Sequence, residues 1–113
     1  MPVLNVADPE ILQDEELTLF ADNLAKFFAE HAPADRVERW RDNGCVDREF
    51  WTECGEAGLL GVSVPEAYGG AGGDFRHDIT LFRQVVRSGV EGFAAALHNG
   101  IVVPYVVTHG TKA

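Results

Sequence analysis

Leu17, Phe20, Ala21, Leu24, Phe27, Phe28 and His31 recur three or four residues apart, with Glu15, Glu16, Asp22 and Lys26 on the other side. This spacing predicts an amphipathic helix beginning near Asp14. Pro33 permits a fresh first turn, and Val37 and Trp40 mark the inner face of a short second helix that Gly44 can end in a left-handed conformation. Asp47 is expected to cap a third helix with Phe50, Trp51, Cys54 and Ala57 on one side before Gly58 stops it. Trp51 is expected in the core, because it shares that face with Cys54. Asp74 opens a fourth helix with apolar positions Ile79, Phe82, Val85 and Val86, ending near Gly89. A last helix is expected from about Glu91 to His109, with Phe93, Leu97, Ile101 and Tyr105 at spacing four and a kink where Pro104 removes a hydrogen bond.

Between the third and fourth helices the chain reads GLLGVSVPEAYGGAGGDF, Gly58 to Phe75, with six glycines and one proline in an otherwise apolar run. A flexible linker is polar and poor in bulky side chains, whereas Leu59, Leu60, Val62, Val64, Tyr68 and Phe75 need something to pack against. Val62 to Val64, ahead of Pro65, is too short to make a sheet alone. The expected fold is all-α, a five-helix orthogonal bundle with a long, ordered, glycine-rich loop over residues 61–73. Residues 1–13 read as a poorly ordered N-terminus, in which Asp8 before Pro9 can cap an early turn, and residues 14–113 as one helical domain.

A chain of 113 residues, 46% hydrophobic and 24% charged, has the composition of one globular domain. Its apolar runs fall short of the roughly 20 residues needed to cross a bilayer. No secretion signal is visible, so the sequence places the protein in the cytoplasm. Net charge is −9, and residues 1–49 hold 12 acids and 5 bases, or −7 of it. Arg36, Arg39, Arg41 and Arg48 alternate with acids, which argues against a nucleic-acid surface. Cys45 and Cys54 read as reduced thiols. Together with His31 and His109 they lack zinc-site spacing, so no metal is expected. The run Tyr68 to Gly73 lacks the Lys-Ser/Thr ending of a P-loop and any βαβ context. His98 can either donate a hydrogen bond into a channel or sit satisfied in the core.

Three ordered elements, DREFWTECGEAGLLG (Asp47 to Gly61), VPEAYGG with GGDF in the loop, and LHNGIVVPYVVTHGTK (Leu97 to Lys112), resemble the N-terminal helical domain of the acyl-CoA dehydrogenases. These are the flavoenzymes of fatty acid oxidation, and the long-chain branch is the most similar. The resemblance implies a parent enzyme that oxidises a fatty acyl-CoA to the 2,3-enoyl-CoA. In that parent a glutamate takes the α proton, FAD accepts the hydride, and an electron-acceptor flavoprotein and a homo-oligomeric state are expected. The catalytic glutamate and most of the FAD site belong to middle β and C-terminal helical domains. This chain alone is therefore expected to be inactive, with no catalytic or cofactor-binding residue and no bound FAD. The helix matching Phe93 to Ile101 borders the deep end of the acyl pocket in the family, which makes Phe93, Leu97, His98 and Ile101 the candidate substrate-binding residues. Cutting away neighbouring domains is expected to leave apolar surface and a homodimer. Arg83 and Gln84 stand where the family often has two acids. The alternative is a stand-alone helical interaction module without catalysis.

Overall fold

The computed structural model describes residues 7–111. A 3₁₀ turn, Glu10–Leu12, precedes α1 (Glu15–His31), α2 (Ala34–Asn43), α3 (Arg48–Glu56) and, after the loop, α4 (Phe75–Arg87). The last helical run starts as α5 (Ala95–Leu97), passes through a π-turn (His98–Val102) and continues as α6 (Val103–His109). Taken once, that run makes five helices, and there is no strand among the described residues. The expected all-α class holds. The reading of residues 1–13 falls partly on residues 1–6, which lie outside the described residues, as do 112 and 113.

The expected boundaries follow from local chemistry. Asp14 accepts a hydrogen bond from the Glu16 amide (3.0 Å), and Gly44 closes α2 at φ +82°. Asp74 makes a reciprocal capping box with His77, the Asp74 amide donating to the His77 ring at 3.0 Å. Asp47 occupies the N-cap position of α3, but its side chain does not cap it. It lies 3.4 Å from Arg39 and 3.9 Å from Arg36 instead, because those guanidinium groups project from α2 toward it.

Phe50 is the hub of the core, its ring 4.8 Å from Trp40 and 4.9 Å from Phe93. The buried tryptophan is Trp40, 1% exposed. Trp51 was the expected core residue, and it is half-buried at the rim, packed edge-on to Phe93 at 4.7 Å. Ala57, expected on the same inner face, is exposed because the last turn of α3 has left the core. The fourth helix is rotated from the expected face. Asp78, Thr80 and Leu81 are buried, Ile79, Phe82 and Val85 are half-buried, and Val86 is 80% exposed. Apolar residues cover more than one stripe of this helix, so pattern alone does not choose among them. The choice falls to α1, its main helical partner, and to Ser63 of the loop, whose hydroxyl donates to the Asp78 carboxylate. Burial, partly offset by this bond, raises the Asp78 pKa above the usual carboxylate range.

The last helix starts four residues later than expected, after a turn that buries Val90 and Phe93. Pro104 lacks the amide that an α-helix would send back to residue 100. The backbone accommodates it one turn upstream, where the Val103 amide bonds to the His98 carbonyl in π register.

Arginines on α4 face acids near the N-terminus. Arg76 lies 3.6 Å from Asp14, and Arg83 donates to Asp8, which also lies 3.9 Å from Arg87. Arg83 thus finds its counter-charge inside the chain.

Candidate functional site

The glycine-rich loop is held by its own backbone. The amides of Gly69, Gly70, Gly72 and Gly73 donate to the carbonyls of Glu66, Pro65, Val64 and Val62. These donors are thus not directed outward as a phosphate cradle requires. At Gly70 the chain passes so close to itself that an added Cβ would lie 2.2 Å from the Val64 carbonyl oxygen.

The loop is pinned to the last helical run by Asn99, which is buried. Its Oδ1 accepts from the Gly61 amide at 3.0 Å, and its Nδ2 donates to the Leu59 carbonyl at 2.7 Å. The same Oδ1 lies 2.7 Å from Nδ1 of His98. Between loop and helix runs a groove of about 890 Å³, with an apolar wall of Leu60, Val64, Val103, Val106 and Val107, and His98 on its lining.

The four candidate residues occupy three environments. Phe93 is 7% exposed and belongs to the aromatic core, against Phe50 and Trp51, because the turn before α5 carries it inward. Leu97 and Ile101 are 53% and 54% exposed, and with Val102 and Tyr105 they make an outward apolar stripe. Ala94 and Ala96 are exposed beside it and leave its backbone approachable. His98 turns to the groove. Trp51 links two of them, its ring 4.7 Å from Phe93 and 5.8 Å from His98. Sequence reasoning missed Asn99. The available signal was a lone amide among apolar neighbours in a helix, a position where an amide needs a partner.

No group of three or more His, Cys, Asp or Glu side chains able to hold a metal occurs among the described residues. His31 is engaged by Glu53, Nδ1 to Oε2 at 2.8 Å. The Cys54 thiol is buried, which pushes its pKa up to about 12 and leaves it a poor nucleophile at neutral pH. Nor does any helix among them have the length and apolarity to cross a membrane.

An all-α domain whose glycine loop is locked onto its last helix is what these residues build. Residues 14–113 match the family model "Acyl-CoA dehydrogenase, N-terminal domain". The long-chain specific acyl-CoA dehydrogenase, mitochondrial, of Mus musculus is 36% identical over 97 residues, covering 86% of this chain and 22% of that protein. The isovaleryl-CoA dehydrogenase, mitochondrial, of Bos taurus is 30% identical over 101 residues, covering 88% and 24%. No solved structure matches the chain. The chain belongs to the acyl-CoA dehydrogenase family, as its N-terminal domain. It spans about a fifth to a quarter of the length of these curated relatives.

Proposed function

We propose that this domain serves a parent enzyme that dehydrogenates a fatty acyl-CoA to the 2,3-enoyl-CoA, in the long-chain-like branch, and that it forms one wall of the acyl pocket. The observation that carries this reading is the outward stripe of Leu97, Ile101, Val102 and Tyr105, each at least half exposed on a helical run that only Ala95 and Asn99 anchor in the interior. Apolar side chains presented together in this way favour an apolar occupant. Leu97 and Ile101 are the wall, Phe93 supports it from the core, and His98 stands on the adjoining face.

FAD, when bound in the parent, accepts the hydride removed from the β carbon. The described residues do not fit a flavin site of their own, since the loop amides are occupied by loop carbonyls. The contribution of this chain is therefore to bind and orient the acyl chain and to support the neighbouring domains. An electron-acceptor flavoprotein and a homo-oligomeric parent are carried as parts of the same proposal. So is the cytoplasmic location, although the relatives above are named as mitochondrial; fractionation of cells expressing the full-length protein tests it.

Substituting Leu97 or Ile101 by Trp in the full-length enzyme tests the wall. The longest accepted acyl-CoA is expected to lose about tenfold or more in kcat/KM relative to short ones, equivalent to about 1.4 kcal/mol of transition-state binding. An unchanged chain-length profile in both variants overturns the assignment.

A further inference from the structure

We infer that Asn99 is a positioning residue that fixes His98 as the Nδ1–H tautomer, so that neutral His98 offers its Nε2 as a hydrogen-bond acceptor. The polarity of backbone groups is not adjustable. The Leu59 carbonyl can only accept and the Gly61 amide can only donate, so the Asn99 amide has one orientation that satisfies both, Nδ2 toward Leu59 (2.7 Å) and Oδ1 toward Gly61 (3.0 Å). The atom lying 2.7 Å from His98 Nδ1 is therefore an oxygen, which has no proton to give. Nδ1 must donate, and in a neutral imidazole the proton is then absent from Nε2. Asn99 is buried, so reversing its amide would put like groups together at both backbone contacts with no water to relieve them.

This determines what His98 can recognise. It lines the groove beside the apolar wall of Leu60 and the valines, with Tyr68 and the loop glycines also on the lining, and Nε2 has no hydrogen-bond partner among the described residues. A carbonyl oxygen, including that of a thioester, meets an acceptor there and is disfavoured. A hydroxyl or N–H meets a partner. Where the sequence allowed His98 to donate into a channel, the structure reverses the direction of the bond. The specificity role rests on the acyl-pocket reading; the tautomer does not.

Two-bond ¹H–¹⁵N correlation spectra of the imidazoles in the 113-residue chain, at a pH where His98 is neutral, test the tautomer. The expected result is a pyrrole-type Nδ1 and a pyridine-type Nε2 at His98, and the opposite pattern overturns the proposal. In Asn99→Leu the His98 proton is expected to shift toward Nε2, while His31, His77 and His109 keep their spectra; an unchanged His98 signature also overturns it. If that variant does not fold, the wild-type spectrum alone decides. The Trp substitutions at Leu97 and Ile101 report on the acyl wall separately, so either conclusion can fail without the other.

Discussion

Trp40 and Trp51 lie on consecutive helices, yet only the first is enclosed on all sides. Trp40→Ala is expected to cost about 3–5 kcal/mol, the usual range for removing a large buried aromatic. That is a large part of the roughly 5–15 kcal/mol that holds a domain folded. Trp51→Ala loses edge contacts with Phe93 and a position beside His98, and should cost less. Urea unfolding of both variants checks the order; equal midpoints would refute it. Asp78 gives a pH prediction. Its carboxyl is buried, with Oδ1 lacking a partner among the described residues, and burial raises its pKa. The folded state thus holds this proton more tightly than the unfolded chain. The stability linked to it is complete below the unfolded value, about 3.9, and is lost as pH rises through the raised folded value. Asp78→Asn keeps an oxygen for Ser63 and removes the titration, so the decline in urea midpoint across that window should become shallower. An identical slope in wild type and variant would exclude Asp78 as its source.

At the scale of elements, the glycine loop is sensitive to sterics rather than to flexibility. Gly70→Ala drives a Cβ into the Val64 backbone, an overpacking expected to cost about 1–3 kcal/mol. Gly44→Ala meets open space and only its left-handed φ opposes it, at about 1 kcal/mol. Thermal or chemical unfolding that ranks Gly44→Ala as the more harmful would contradict the packing described for the loop. Helix starts and stops were legible in the sequence because Asp14, Gly44, Gly58 and Asp74 act within a few residues of themselves. The inner face of α4 was not, because Phe82, Val85 and Val86 are as apolar as Leu81, and the selection among them is made by α1 and Ser63. The same division applies to the site. His98 could be noticed as a polar residue among alanines and valines, but the role of Asn99 depends on carbonyl and amide groups 40 and 38 residues away. The turn that buries Phe93, and the π-turn that separates the groove face from the Leu97 stripe, are likewise products of packing.

For the whole molecule, the outward stripe has a consequence in solution. Leu97, Ile101, Val102 and Tyr105 are each at least half exposed, and self-association of the isolated chain is the expected way to cover them. Its net charge of −9 opposes this only weakly at physiological salt. Multi-angle light scattering should give a dimer mass at high protein concentration, and Ile101→Lys should return it to the monomer; a monomer throughout would count against the prediction. The pairing of α1 with α4 also matters during synthesis. The first helix emerges with its apolar face complete, but its main helical partner is encoded some forty residues further on. At about 5–20 residues per second, the 56 positions from Ala32 to Arg87 take roughly 3 to 11 s to translate. Throughout that interval Phe20, whose ring lies 5.6 Å from that of His77 on α4, lacks this cover, so a nascent chain of this domain keeps part of the apolar face of its first helix open until the fourth arrives.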